Sequence, residues 1–434
     1  MVIAAPGSLG RRAAISVFLV FALGYFFSAL LRAVTATLAP QFSRELGLSA
    51  ADLGLLAGVF FAGFACTQLP LGTALDRYGP KRVLLALMVV AVLACAAFAS
   101  AQSFEGLLLA RALMGVGLSA GLMAALTCFR HVYAPATQLR ASSWMLMTGS
   151  LGMLMSTIPV HALVPLVGWR GLFWLSALGL TLSALLIVLL VPQDRARDDR
   201  AAPEGDPAAS SSEDSKGGLL GYGPIWRHPV FLRFAPMGFW HYGGLVAVQA
   251  LWAGPWLTQV VGLDEAQAAG GLFLINLCML VAFASLGAIA PRLASRGWDA
   301  QRLVRWAAPL SVLLLVLVVT LGPHAGAPML ALWCVSCVVL SLSQPAVGQA
   351  FASQWVGRAL SAYNLLIFLG VFCVQWGLGL VIDALQVLGW ARVHAFQGAF
   401  GLLALACALC YAWFLRGGSA QEEGAVPNKA VGAE

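Results

Sequence analysis

Polar side chains recur on one face of the first apolar segment of the chain. Tyr25, Ser28 and Arg32 stand at positions i, i+3 and i+7, and Thr35 follows at i+10. Residues at these spacings share one face of an α-helix. A guanidinium inside an apolar helix is costly unless it faces a cavity or a partner, and its planar fork of donors suits a carboxylate or a phosphate. The stripe therefore predicts a site for an anionic solute with Arg32 as ligand. The alternative is that Arg32 lies near the membrane surface and reaches the interface.

Six residues in the second half of the chain are further candidates for the wall of such a cavity: His241, Gln249, Trp252, Gln344, Asn364 and Gln375. His241 and Trp252 are eleven residues apart, as are Asn364 and Gln375, and this spacing returns to nearly the same helix face. A histidine in a membrane can titrate near neutral pH and carry a proton. The alternative is that these side chains only join neighbouring helices.

The segment from Gly72 to Arg82, which reads GTALDRYGPKR, concentrates charges and turn formers between two apolar runs. It resembles the signature loop between helices 2 and 3 of the major facilitator superfamily of transporters. The resemblance implies that Asp76 and Arg77 are conformational latches rather than solute ligands. The alternative is a basic anchor that holds the loop at the cytoplasmic surface. The residues assigned to this gating segment are Gly72, Asp76, Arg77, Gly79, Lys81 and Arg82.

A second motif begins at Arg111 and reads RALMGVG. It is similar to the arginine followed by Gly-x-Gly on helix 4 of the same family. The resemblance implies a role of Arg111 in coupling or gating. The alternative is that its guanidinium reaches the outer surface beside Glu105.

The spacing between Arg32 and Pro40 resembles helix 1 of one branch of that family, the organophosphate:phosphate antiporters and sugar-phosphate permeases. An arginine eight residues before a proline binds phosphate in that branch. Its members use a second arginine on helix 7, whose place here is taken by Val246 or Ala247. One arginine fits a singly charged organic anion better than a dianionic sugar phosphate.

The composition places the chain in a membrane. Of 434 residues, 60% are hydrophobic and 10% are charged, whereas soluble domains carry about 25% charged residues. Twelve apolar runs are long enough to cross a bilayer. The net charge of +7 reflects basic residues on predicted cytoplasmic segments and is not a sign of nucleic-acid binding.

We predict an all-α membrane protein with twelve transmembrane helices in two pseudo-symmetric six-helix bundles. Ser49 and Asp264 are the predicted N-caps of the second and eighth helices. The predicted domains are a cytoplasmic N-terminus at 1–13, a bundle at 14–191, a disordered cytoplasmic linker at 192–230, a second bundle at 231–416 and a disordered tail at 417–434.

The predicted function is secondary active transport of a small organic anion by alternating access. The alternatives are an exporter of drugs or metabolites by proton antiport and a sensor that keeps the transporter fold without transporting. We expect no enzymatic activity, no cofactor and no metal. We expect a monomer in a bacterial inner membrane, with both termini cytoplasmic. The candidate coupling ion is a proton.

Overall fold

The computed structural model describes residues 11–133, 135–191 and 222–423. Every regular element in these ranges is helical. The first half of the chain contains α1 (Arg11–Leu46), α2 (Ala50–Tyr78), α3 (Pro80–Ser100), α4 (Phe104–Leu118 and Gly121–Val132), α5 (Pro135–Met155, completed by the start of Ile158–Leu190) and α6 (the rest of Ile158–Leu190). A positive φ of 71° at Gly168 separates α5 from α6.

The second half of the chain contains α7 to α12, after a short helix at Gly223–Trp226. They are α7 (six consecutive segments from Pro229–Pro236 to Trp256–Val260), α8 (Glu265–Ala294), α9 (Ala300–Leu321), α10 (Ala327–Cys337, Val338–Leu342 and Ser343–Gln349), α11 (Ser353–Val387) and α12 (Arg392–Glu423). Ten helices of the described ranges are long and apolar enough to cross a membrane. The segmented helices α5 and α7 bring the number to twelve, which confirms the predicted fold class.

Both predicted N-caps are confirmed. The Ser49 hydroxyl accepts from the backbone N–H of Asp52, and the Asp52 carboxylate accepts from that of Ser49, each at 3.1 Å. Asp264 accepts from the backbone N–H of Gln267 at 2.7 Å. These caps satisfy N–H groups that the first turn of a helix leaves without intrahelical partners. They therefore fix where α2 and α8 begin.

The two halves pack against each other along α2 and α11, which run antiparallel. Contacts between these helices extend from Ala50 and Asp383 at one end to Gly72 and Ser361 towards the other. An even number of crossings places the start of α1 and the end of α12 on the same side. We call the opposite side, where α1 ends and α2 begins, the far end of the molecule.

The far end carries the polar contacts that join the halves. The Asp383 carboxylate of α11 reaches the first turn of α2, and Arg44 of α1 pairs with Glu265 of α8 at 2.7 Å. The backbone of α1 at Ala36 also lies against Gly254 of α7, where a Cβ atom would come within 2.3 Å of the Ala36 carbonyl oxygen.

Helix α7 departs from regular α-helical geometry. Three of its segments, Met237–Tyr242, Val248–Trp252 and Trp256–Val260, are π-helical. A π turn closes its hydrogen bond at i+5 instead of i+4. Side chains that a regular helix would align are therefore rotated relative to one another along α7.

The predicted domain boundaries stay a prediction, because most of the linker and the tail lies outside the described residues. The structure describes the last part of the predicted linker, where Tyr222 and Ile225 are buried. It also describes helical backbone in α12 as far as Glu423. Folded structure thus begins before residue 231 and continues past residue 416.

Candidate transport site between the two halves

Arg32 on α1 is the least satisfied charged group among the described residues of the membrane interior. Its Nε atom is buried and has no hydrogen-bond partner in the described part of the chain. The guanidinium carbon lies 5.8 Å from the ring centroid of Phe64 on α2. A part-buried guanidinium whose Nε atom has no hydrogen-bond partner is unfavourable without an anion. The arrangement is therefore suited to an anion supplied from outside the protein.

Two tyrosines lie close to Arg32, one from each half. Tyr25 stands two turns earlier on α1 and is held by Gly149 of α5, where a Cβ atom would lie 2.5 Å from the Tyr25 ring. Tyr242 of α7 is part-buried and lies close enough to Arg32 and Tyr25 to interact electrostatically with both. A phenol can donate a hydrogen bond to a carboxylate. Through Tyr242, the second half therefore contributes a polar group near Arg32, the residue predicted to bind the solute.

Aromatic rings of both halves meet beside Arg32. The centroids of Phe64 on α2 and Phe368 on α11 are 4.5 Å apart, and Phe61 stacks on Phe368 at 6.3 Å. Aromatic contacts of this kind favour flat apolar surfaces as neighbours. The surroundings of the unpaired guanidinium thus combine one positive charge with aromatic surface.

The other hydroxyls of the predicted α1 stripe are occupied within the first half. Ser28 is buried and donates to the Leu118 carbonyl of α4 at 3.3 Å. Thr35 is buried and accepts from Arg111 at 2.6 Å. The stripe therefore divides into residues that hold α1 against α4 and residues, Tyr25 and Arg32, that lie towards α7.

Arg111 does not reach the outer surface beside Glu105, so that alternative is wrong. Its side chain is 1% exposed. It donates to the Leu31 carbonyl at 2.9 Å and to Thr35, and its guanidinium carbon lies 5.0 Å from the Phe60 ring centroid. These contacts join α4, α1 and α2. Arg111 thus links three helices inside the first half through its guanidinium group.

The predicted wall residues of α7 are engaged with other helices of the second half. His241 lies 2.7 Å from the Ser311 hydroxyl of α9, and Gln249 donates to Asn276 of α8 at 2.9 Å. Trp252 donates to the Gln375 carbonyl of α11 at 3.0 Å. The structure therefore does not place His241 and Trp252 on one face, because π-helical turns lie between them.

The remaining wall candidates belong to α10 and α11. Gln344 donates to Asn364 at 2.9 Å, and both side chains are part-buried. Gln375 is fully buried and donates to the Ala247 carbonyl at 3.4 Å, while its Oε1 atom has no partner in the described residues. Their role as solute ligands stays a prediction.

The gating segment connects the end of α2 to the start of α3. Gly79 connects α2 to α3 with φ of 81°, a backbone conformation that suits glycine. Lys81 donates to the carbonyls of Val188, at 3.0 Å, and Val191 at the end of α6. Arg77 is exposed, with its guanidinium carbon 5.4 Å from the Tyr78 ring centroid.

The three other members of the gating segment are Asp76, Arg82 and Gly72. The backbone of Asp76 belongs to α2, but its side chain lies outside what the structure describes. Arg82 is exposed at the start of α3. Gly72 faces Ser361 of α11, where a Cβ atom would lie 3.8 Å from the hydroxyl oxygen. The latch role of Asp76 and Arg77 stays a prediction.

Three residues that join the halves near the site or at the far end are not among the predicted site residues: Tyr242, Phe368 and Asp383. Tyr242 is the neighbour of the predicted His241, and Phe368 has no polar group that would mark it in the sequence. Asp383 is a carboxylate near a helix end, but its partners are backbone N–H groups more than 300 positions away. Only the last of these had a signal in the sequence.

Comparisons with known proteins identify the class. The sequence model of the Major Facilitator Superfamily matches residues 21–373. The chain therefore belongs to the Major Facilitator Superfamily, whose members are membrane transporters and not enzymes. The narrower likeness to sugar-phosphate permeases stays a prediction.

Curated relatives share part of the chain. It is 28% identical to the niacin transporter NiaP of Acinetobacter baylyi over 179 residues, covering 40% of this chain and 39% of that one. It is 29% identical to the 4-hydroxybenzoate transporter PcaK of Pseudomonas aeruginosa over 168 residues (39% and 38%). It is 30% identical to the multidrug resistance protein MdtL of Shewanella oneidensis over 154 residues (35% and 38%). The chain thus matches less than half the length of each of these relatives.

A solved structure supports the fold over nearly the whole chain. A bacterial homologue of the human lysosomal transporter Spinster, in an inward-facing and unoccupied conformation, superposes with a TM-score of 0.73. The two chains are 16% identical, and the match covers 96% of this chain and 99% of that one. At this identity the likeness shows the fold alone.

Proposed function

We propose that this protein is a secondary transporter of a small organic anion that carries one carboxylate, with Arg32 as the principal ligand. The observation that carries the proposal is the buried Arg32 Nε atom, which has no partner in the described residues. A carboxylate can accept two hydrogen bonds from one guanidinium. Binding would therefore satisfy a group that the protein itself leaves without a partner.

The surroundings of Arg32 favour a monoanion with a flat ring. Phe64 and Phe368 supply aromatic surface, and Tyr25 and Tyr242 supply phenolic hydroxyls. Niacin and 4-hydroxybenzoate, for which two relatives are named, are both aromatic monocarboxylates. No arginine occupies Val246 or Ala247 on α7, so a dianion would gain no second guanidinium there.

A thermal-shift screen of the purified protein tests this proposal. The panel contains benzoate-type acids, aliphatic carboxylates, sugar phosphates and cationic drugs. We expect aromatic carboxylates to raise the unfolding temperature of the wild-type protein and to fail to do so in Arg32→Gln. The matched control is Arg292→Gln, which removes an exposed guanidinium that bonds only within α8 in the described contacts. Stabilisation by carboxylates that persists in Arg32→Gln would refute the proposal.

Drug export is the second candidate function, because one relative is named as a multidrug resistance protein. The same screen separates the two candidates. An exporter of cationic drugs would be stabilised by the cations, and Arg32→Gln would not weaken that effect.

We also infer that both chain termini are cytoplasmic and that the membrane is a bacterial inner membrane. The support for the orientation is the distribution of basic residues, since short cytoplasmic loops carry an excess of Lys and Arg. The support for the membrane is that the curated relatives named above are bacterial proteins. Fusions of a reporter that is active only in the cytoplasm, placed after residue 423 and at the turn between α1 and α2, test this orientation. Activity from the second fusion alone would invert it.

A proton is the proposed coupling ion and the monomer the proposed working unit. Uptake driven by a pH gradient across proteoliposomes, in the absence of other ion gradients, tests the coupling. Light scattering of the purified protein tests the oligomeric state.

A further inference from the structure

The first turn of α2 is capped from two directions. Within α2, Ser49 and Asp52 bond reciprocally and satisfy the N–H of Asp52. The N–H groups of Ala50 and Ala51 instead donate to Asp383 on α11, at 3.1 Å to Oδ1 and 2.7 Å to Oδ2. The first N–H groups of a helix have no intrahelical acceptors. The second half of the protein thus completes the N-terminus of a helix of the first half.

This contact is favourable in charge as well as in hydrogen bonding. The N-terminus of a helix carries partial positive charge, and a carboxylate placed there is stabilised. Both carboxylate oxygens of Asp383 accept from successive backbone N–H groups, so the contact is charge-assisted and bidentate. It joins α2 and α11 at the far end of the molecule.

Gly379 makes the approach of the two backbones feasible. It lies one turn before Asp383 and so shares its helix face. A Cβ atom at Gly379 would lie 2.3 Å from the Ala50 carbonyl oxygen, which is too close for a real side chain. By contrast, a Cβ atom at Gly377 on the same helix would meet nothing within 4 Å. The surface formed by Gly379 and Asp383 is shaped to receive the first turn of α2.

We propose that Gly379 and Asp383 form a docking surface for the first turn of α2 and that they are positioning residues which set the equilibrium between closed and open far ends. Opening the far end separates α11 from α2 there and leaves two backbone N–H groups and one carboxylate without their present partners. Exposure of these groups to water compensates only part of that loss. The proposal depends on movement of the halves and not on the identity of the solute.

Hydrogen exchange measured by mass spectrometry on the full-length protein in nanodiscs, without solute, tests the proposal. We expect Asp383→Ala to raise exchange about tenfold or more in peptides at the far end, which include the first turn of α2 and the start of α8. Alternating access requires closure on the other side when the far end opens. We therefore expect the same variant to lower exchange at the opposite end, around the connection from α2 to α3.

Two matched controls separate docking from local helix capping. Asp52→Ala removes a cap of the same helix turn without touching α11, so we expect faster exchange in that turn alone. Gly379→Ala should reproduce the effect of Asp383→Ala by steric means, whereas Gly377→Ala should behave as the wild-type protein. Gly379→Ala also provides the test if Asp383→Ala does not fold.

The decisive outcome is the response at the end opposite the far end, where α2 connects to α3. Increased protection there in Asp383→Ala or Gly379→Ala, together with its absence in Asp52→Ala and Gly377→Ala, supports the proposal. Exchange at that end which is the same in all four variants would overturn it. A solute screen that fails leaves this result unaffected, because no solute is present.

Discussion

Arg111 of α4 donates a hydrogen bond of 2.6 Å to the hydroxyl of Thr35 on α1, inside a membrane-embedded bundle. One turn earlier on α1, Arg32 has a buried Nε atom with no such partner among the described residues. Two guanidinium groups thus lie along α1, one that belongs to α1 itself and one from α4, and they differ in hydrogen bonding. One guanidinium is satisfied by protein atoms, and the other has hydrogen-bonding capacity left for a solute.

Replacing Arg111 should destabilise the protein. Arg111→Gln removes the bonds to Thr35 and to the Leu31 carbonyl, and hydrogen bonds to charged groups contribute about 1.5–3 kcal/mol each. We expect a lower unfolding temperature in detergent than for the wild-type protein, and a smaller decrease for Thr35→Val. Arg292→Gln, at an exposed position, is the control. If Arg111→Gln unfolded at the same temperature as this control, the hydrogen bonds of Arg111 would not contribute to stability.

Replacing Arg32 should have the opposite effect on the protein without solute. Arg32→Gln removes a part-buried charge whose Nε atom has no partner in the described residues, so the desolvation cost of that charge disappears. We expect the unfolding temperature without solute to stay equal or to rise, while stabilisation by carboxylates is lost. A clear decrease in the unfolding temperature would instead identify Arg32 as a structural residue.

Asp76 should affect the rate of transport more than the binding of solute. If it latches the halves, Asp76→Asn lowers the transport rate several-fold and leaves solute affinity within a few-fold of the wild-type value. Uptake into proteoliposomes and solute titration of the purified protein give the two quantities. An equal loss of affinity would contradict a latch role.

Lys81 should contribute to stability. Its ammonium group donates to the last carbonyls of α6, where positive charge is favourable, so Lys81→Met should cost about 1–2 kcal/mol of unfolding free energy. Arg77→Gln is the control, because Arg77 is exposed and lies only against Tyr78 among its described contacts. Equal unfolding temperatures for the two variants would show that the Lys81 contacts carry little energy.

His241 should not be the proton carrier. Its ring is buried against Ser311 of α9, inside the second half of the protein. We expect His241→Phe to lower stability and to leave the pH profile of solute uptake unchanged. Ser311→Ala, which removes the same contact and keeps the imidazole, should have a similar but smaller effect on stability. A flattened pH profile in His241→Phe alone would return the proton role to this residue.

Much of the fold could be predicted because the bilayer imposes simple requirements on the sequence. Crossing helices need long apolar runs, and Ser49 and Asp264 mark two helix starts by capping chemistry that is local in sequence. The break at Gly168 was not predicted as such, although a Gly in that position is consistent with its positive φ. Local chemistry thus gave the number and the limits of most helices.

The candidate site was harder to predict because its residues come from distant parts of the chain. The polar face of α1 contains Arg32 and Tyr25, which lie towards α7, but it also contains Ser28 and Thr35, which face α4. Glutamine, asparagine and histidine side chains carry no sign in sequence of whether they face a cavity or another helix. Asp383 shows the same limit, since its carboxylate accepts from backbone N–H groups that are 332 and 333 positions away in the sequence.

The π-helical turns of α7 also decide how experiments on this helix should be interpreted. A cysteine or alanine scan of a regular helix gives responses that repeat every three to four residues. Along α7 the repeat lengthens at each π-helical segment, so the sensitive positions drift from one side of the helix to another. A scan that is fitted to a single period would assign Tyr242 and Trp252 to the wrong neighbours.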